Sequence, residues 1–462
     1  MAKSHHMACA RLLIASTAIL TVGIGAAQAQ SVPEQAPSAA AAAVPAAAAP
    51  AAAGPSLEEM RALRRQLEEM RQQLKAQSQQ IEQLQERSRQ ATEDAAQAKA
   101  AADTAQSTAD DARKGTSELA SKPLITSGSP KVKLAISGQI DRLLNFANDG
   151  KSTKGYFVDN NVSPSRVRFV GTGQVTEDIS IGTNIELGIS PNNSNQVSQT
   201  NEDSGDTFDE RKVEAIFKSL TYGAVSFGKG DPATKDIARI DLSGTDVLAY
   251  AATGDIAGGL FFREDDGDDL TAVQVKQVFT DFDSSRQNRI RYDTPTIAGF
   301  TAAASASSDQ RWGAALRWAG QGYGLKVAAG IGVQDPNQDG VRNVYAGSVS
   351  ALHEATGLNL TYGTAFKDQS SSGTGQLQYI KAGWQHEFLP IGKTAFSIDF
   401  GLDKDAPANG DEGKTVGLVA LQNISAYGTE LFAGFRLYDL DQGNGPNTST
   451  IYVGTVGTRV KF

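Results

Sequence analysis

The chain has 462 residues, a formal net charge of −9, 46 glycines and one cysteine. A single cysteine excludes a disulfide framework and a cysteine metal site, and the acidic balance argues against nucleic acid as a partner. Beyond the N-terminus no apolar run reaches the ~18 residues a membrane helix needs, which excludes a helical membrane protein and leaves a membrane barrel open.

Residues 1–29 read as a secretion signal: Lys3 and Arg11 precede or open onto LLIASTAILTVGIG, and Ala27-Gln28-Ala29 forms a small-x-small cleavage site. Cys9 lies upstream of the apolar run and leaves with it. Residues 30–55 are almost entirely alanine and proline, the composition of an extended linker. From 56 to 114 a heptad takes over. With Met60 as position a, the seam runs through Leu63, Leu67, Met70, Leu74, Ile81 and Leu84 and continues in alanine from Ala91 to Ala112, with Gln77 and Ser88 as the polar exceptions. That pattern predicts a coiled coil and therefore a homo-oligomer.

After Pro123 the period changes from helical to two. In DISIGTNIELGIS, Ile179, Ile181, Thr183, Ile185, Leu187 and Ile189 share one face, and Ser180, Gly182, Asn184, Glu186, Gly188 and Ser190 the other. Segments of this kind recur to Phe462, about sixteen of them over 131–462 at ~10 residues each, as a transmembrane β-barrel requires. Connections after alternate strands are short: Glu177-Asp178, Tyr222-Gly223, TPTIAG, AGQG, HEATG, LPIG and SAYG. The intervening ones are expected to be longer, as in 148–163 and 191–209, with SSDQ at 307–310 as an exception. Short periplasmic turns alternating with long external loops are the barrel pattern, and a soluble sandwich has no reason to follow it.

The chain closes on TVGTRVKF. Tyr452, Gly454, Val456, Thr458, Val460 and Phe462 share one face. Gly457, Val460 and the aromatic Phe462 stand where a C-terminal assembly signal for the outer-membrane insertion machinery is expected.

A specific resemblance follows. The order of coiled coil, sixteen strands and terminal Phe462 resembles the DcaP-like trimeric porins of Gram-negative bacteria. It is carried by ISGQIDRLLNFANDG, SRVRFVGTG, VSFGKGD, DLSGTDV and NRIRYDTPTIAGF. The resemblance implies a homotrimer in outer-membrane lipid that passes dicarboxylates and aromatic acids through passive, anion-preferring pores.

If the apolar parity faces lipid, the other parity faces the lumen. That rule turns Arg166, Arg168, Arg289, Arg291, Arg311, Arg317, Lys326 and Lys381 inward as pore-lining candidates for contact with small anionic solutes, since Arg and Lys rings select anions. Inward Glu186 and Glu214 leave open that arginine–carboxylate pairs merely brace the wall. Residues 231–285 alternate poorly and form a candidate constriction loop, with Lys235, Arg239, Asp241, Asp246 and Arg263 as its candidates for substrate contact.

No catalytic set assembles around His353 or His386. DPNQDG (335–340) opens like a calcium loop but has Ala346 where a bidentate glutamate belongs. The expectation is thus a porin without cofactor or metal, in the Gram-negative outer membrane with its coil in the periplasm. The alternative is a structural tether from the outer membrane to peptidoglycan.

Overall fold

The computed structural model describes Glu68, Ser129 and residues 131–266, 269–370 and 373–462. Apart from Glu68, the expected signal, linker and coiled coil lie outside the described residues.

The described residues form one antiparallel sheet of seventeen strands that closes on itself. It begins with β1 (Val132–Asn148), β2 (Thr153–Asp159) and β3 (Arg166–Gln174). Both β2 and β3 pair along β1, β2 with Arg142 to Asn148 and β3 with Val132 to Gln139. They are two pieces of one stave interrupted at 160–165, so the seventeen strands make a sixteen-stave barrel. β4 (Ile179–Pro191), β5 (Asp206–Ser219) and β6 (Gly223–Gly230) follow, and β9 (Gln287–Asp293) pairs with β6 across a long insertion that holds β7 (Phe261–Glu264) and β8 (Leu270–Gln274). The meander then runs through β10 (Phe300–Ser307), β11 (Trp312–Gly322), β12 (Leu325–Asp335), β13 (Val341–His353), β14 (Leu358–Gln369), β15 (Thr374–Leu389), β16 (Gly392–Lys404), β17 (Glu412–Ile424) and β18 (Thr429–Asp441). After the short β19 (Thr448–Ser449), β20 (Ile451–Lys461) pairs with both β18 and β1 and closes the cylinder. Closure removes the two free edges that an open sheet would expose.

The alternation read from the sequence becomes an outer and an inner face. Ile140, Ile185, Ile290, Ile331 and Ile398 are exposed on the outside, the apolar parity that a membrane barrel turns away from its lumen. The turn end of the barrel is tight, and at Gly357 the backbone is left-handed (φ 73°), where a Cβ would strike the carbonyl oxygen of Gln385.

The other end departs from expectation. The connection at 308–311 is short, as SSDQ suggested, but other strands run further than their patterns suggest, so those at 336–340 and 370–373 are short as well. The segment 148–163 contains β2, because Tyr156 and Val158 turn inward and bury while Phe157 stays outside. AGQG likewise completes β11, and the turn falls at Tyr323-Gly324.

The inside of the barrel is not uniformly polar. Val247, Leu248, Leu260, Phe262, Val275, Val278 and Phe279 from the insertion between β6 and β9 bury against Tyr156, Val158, Phe432, Tyr438, Ile451 and Val453 on the inner wall. A fully buried side chain of this size is worth about 1.5–3 kcal/mol, so one sector of the lumen works as a hydrophobic core. The same insertion reaches the rim, where β7 pairs with β8 and with β19 in a small three-stranded sheet.

Candidate functional site

Between Asp231 and Arg286 the chain follows the inner wall, tied at each step to an inward side chain. Ala233 N donates to Ser305 Oγ at 2.9 Å, Ile240 N to Ser348 Oγ at 3.1 Å and Leu242 N to Ser350 Oγ at 3.0 Å. Gln385 Nε2 donates to Leu242 O at 2.9 Å, Thr245 Oγ1 to Ser397 Oγ at 2.9 Å, and Tyr438 OH to Thr253 O at 2.7 Å. Serines and threonines at inward positions thus satisfy a loop backbone that would otherwise be buried without partners.

Of the five candidates in this segment, Asp241 takes part in the docking, and Lys235 and Arg239 are held by carboxylates of the insertion itself. Lys381 Nζ reaches Asp241 Oδ2 at 2.6 Å and Ala249 O at 2.7 Å. Burial pushes the Asp241 carboxyl up, but the Lys381 ammonium and Ser243 outweigh it and hold the group below its usual range. Lys235 pairs with Asp283 at 2.7 Å. Arg239 pairs with Asp281 and stacks 4.6 Å from the centre of the Tyr250 ring. Asp246 is exposed. Arg263 sits apart, at the rim on β7, 2.7 Å from Asp149.

The wall from β3 to β9, which adjoins the apolar sector, carries the densest charge. Arg166 Nη1 lies 3.5 Å from Glu186, Arg168 Nε donates to Glu186 at 2.8 Å and Arg211 Nε at 2.6 Å, so one buried carboxylate holds three guanidinium groups. Beside it Arg289 pairs with Glu214 at 2.5 Å. Arg286 lies 3.0 Å from Asp231, which Lys212 also contacts. Arg291 pairs with Asp293 at 2.7 Å and donates to Pro232 O at 3.0 Å. These four strands and the two ends of the insertion place seven basic groups (Arg166, Arg168, Arg211, Lys212, Arg286, Arg289, Arg291) against four acidic ones (Glu186, Glu214, Asp231, Asp293).

The remaining wall candidates are dispersed. Arg317 spends its guanidinium on the loop, donating to Ala233 O at 2.9 Å and Lys235 O at 2.8 Å. Lys326 pairs with Glu354 at 2.7 Å near the turn end. Arg311 precedes β11 at the loop end and contacts Asp309.

Alternation alone misses Arg211 and Lys212. The register of β4 against β5 shifts between Glu186 and Leu187, so Lys212 pairs with Glu186 while Glu210 pairs with Leu187. Arg211 is the extra residue of that bulge, and two consecutive cations therefore face inward. The run Glu210-Arg211-Lys212, where the apolar period of β5 breaks, is the sequence signal for it. Arg286 ends the insertion, and only its place just before β9 could have pointed to it.

At the closing seam Gly457 pairs with Leu143 and Val460 with Ile140. Phe462 N donates to Gly138 O at 3.0 Å, and Gly138 N to Phe462 O at 2.8 Å.

Against known families, the sequence matches the Gram-negative porin model over residues 94–443. No curated protein matches it. Among solved structures the fold is similar to in-vitro folded OmpT, an outer membrane protein of Vibrio cholerae, at 13% identity and a TM-score of 0.50, covering 74% of this chain and 100% of that one. The anion-selective porin from Comamonas acidovorans is 14% identical with a TM-score of 0.49, over 72% of this chain and 100% of its own. The outer membrane channel DcaP of Acinetobacter baumannii is 8% identical with a TM-score of 0.46, over 73% and 99%. At such identities the likeness is one of fold.

Proposed function

The chain belongs to the Gram-negative porin family, and from that premise we propose that it is a passive channel for small anionic solutes, assembled as a homotrimer. The observation that carries anion preference is the seven-to-four excess of cations on β3, β5, β9 and the insertion ends. Pairing braces these groups but does not neutralise them, because Glu186 meets three arginines at once. A fixed positive wall beside a water-filled path lowers the barrier for carboxylates and raises it for cations. The docked insertion narrows that path by filling part of the lumen. The net charge of −9 points the other way. Exposed acids such as Glu202, Asp203, Asp265 and Asp266 contribute to it, as do Asp141, Asp159, Asp399, Asp403 and Glu430, which are buried outside this cluster.

The outer surface supports the trimer. Exposed Tyr and Trp residues that suit a membrane–water interface (Tyr222, Tyr292, Trp312, Tyr345, Tyr362, Trp384, Tyr452) spread from the β5–β6 turn round to β20. The strands β1 to β5 place none outward. In their sector Arg142 shares the outward parity of Ile140 and Phe146, bonded to Pro191 O at 2.7 Å, and Phe157 and Phe208 are 71% and 70% exposed. An arginine is costly against lipid tails and acceptable against protein. This sector is the face on which the protomers meet.

The deciding experiment is reversal potential across a planar bilayer under a salt gradient, wild type against Arg289→Ala/Arg291→Ala. Anion preference that falls in the variant is the expected result. Absence of conductance would sink the channel, and cation preference in the wild type would sink the selectivity.

A further inference from the structure

Two charged side chains stand on the apolar outer parity of the β1–β5 sector. Arg142 shares the outward face of β1 with Ile140 and Phe146, and its side chain is 36% exposed. Glu210 is exposed on β5, where it pairs with Leu187, while Phe208 pairs with Ile189 and Val213 with Ile185. Directly opposed residues share a face of the sheet, and Ile185, Ile189, Phe208 and Val213 are all exposed on the outside. The acid therefore lies in the apolar stripe, with an apolar neighbour on either side.

Neither charge is fully answered within the chain. Glu210 makes no hydrogen bond or ion pair among the described residues. Arg142 Nη1 donates to Pro191 O at 2.7 Å, and the one carboxylate paired with it among the described residues is the buried Asp159, at 3.9 Å. The two charges do not meet in one protomer. Pro191, which Arg142 touches, pairs with Asp206, four residues along β5 from Glu210, or about 13 Å at the rise of a strand. Either group is costly where it faces lipid tails.

We propose that Arg142 of one protomer pairs with Glu210 of the partner subunit. The inference rests on the trimer reading and names the contact that sets its register. A threefold assembly joins one side of each protomer's face to the other side of its neighbour's, so unlike patches must complement each other. An axis along the membrane normal leaves depth unchanged, and only groups at one level can pair across it. Counted from the turn end, Arg142 lies ten residues from the start of β1 and Glu210 nine from the end of β5. Opposite charge and matched level thus select the same two residues. Set among Ile140, Phe157, Phe208 and Ile189, the pair supplies a fixed register where apolar side chains alone are indifferent to it.

The test is a double-substitution cycle on the full-length protein: Arg142→Gln, Glu210→Gln and both together, each checked for heat-modifiable folding. The readout is the temperature at which trimers dissociate on seminative gels. Each single change should lower it, and the two together should lower it no further than the worse single change. Separately, Arg142→Cys/Glu210→Cys treated with a short bismaleimide should give covalent trimers on denaturing gels, and neither single cysteine should. A wild type that runs as monomers would remove the trimer reading and the pair with it. Stable trimers in which the two changes add, in which the two cysteines stay unlinked, or in which one cysteine alone suffices would overturn the pair and leave the trimer reading standing.

Discussion

Lys381 on β15 and Asp241 in the insertion form a pair buried inside the barrel, with side-chain exposures of 0% and 5% and a separation of 2.6 Å. The same ammonium holds Ala249 O, so a single wall residue grips the insertion at two points. Removing one member of a buried pair leaves the other charged and unpaired, at a cost of about 3–5 kcal/mol. Lys381→Met is therefore expected to release the insertion and raise single-channel conductance and its noise. Lys381→Met/Asp241→Asn, which removes both charges, should restore much of the quiet state. Single-channel recording on the two variants checks this.

The acid response follows from the same pair. The Asp241 carboxyl sits below its ordinary range in the folded state, so its contribution is present above the unfolded value of about 4 and is lost as pH falls through the lower folded value. Conductance noise should stay constant from pH 7 to 5 and rise only below about 4. In Asp241→Asn that acid-side rise should be absent, and a wild-type rise near pH 6 would point to another group.

How far the sequence could be read depended on the range of the contacts. Alternation within NRIRYD suffices to put Arg289 and Arg291 inside and Ile290 outside, because a strand decides its own faces. Docking of the insertion could not be read that way. Asp241 and Lys381 are 140 residues apart, and Thr245 and Ser397 152. Nothing local in the insertion encodes such partners. The inner apolar sector was hidden for a different reason: Ile451 and Val453 face inward while Tyr452 between them faces out, so all three positions read as apolar and the parity is ambiguous. Arg211 was lost to a bulge, which a strict period of two cannot represent.

Among the described residues, Glu186 is the single carboxylate paired with Arg166, Arg168 and Arg211. Glu186→Gln keeps the shape and removes the charge, so the local excess grows by one unit. Anion preference in the reversal-potential measurement should increase. Stability should fall by about 3–5 kcal/mol, because three guanidinium groups lose their buried partner. The opposite signs of the two effects separate this variant from one that merely unfolds.

The proposed protomer contact predicts a different readout. Phe157 is outward and 71% exposed in the isolated chain. Phe157→Asp should convert the trimer to monomers on seminative gels while leaving heat-modifiable barrels. The same change at Tyr362, in the aromatic sector on β14, should leave the trimer intact. Dissociation by both would remove the argument for a face on β1 to β5.

Gly138 and Phe462 exchange two backbone hydrogen bonds, at 2.8 and 3.0 Å, and close the cylinder. The terminal ring lies over Gly138, where a Cβ would come within 2.5 Å of its Cζ and 2.7 Å of the Arg166 carbonyl oxygen. The ring can swing aside, since Phe462 is 66% exposed, but the carbonyl belongs to the neighbouring strand and cannot. Gly138→Ala should therefore destabilise the barrel by about 1–3 kcal/mol, the usual cost of overpacking. Adding Phe462→Ala should recover only the part due to the ring. Midpoints of heat modifiability for the two single variants and the double variant measure that coupling directly, and full recovery in the double variant would mean that the ring alone, and not the β1–β3 backbone, requires glycine at the seam.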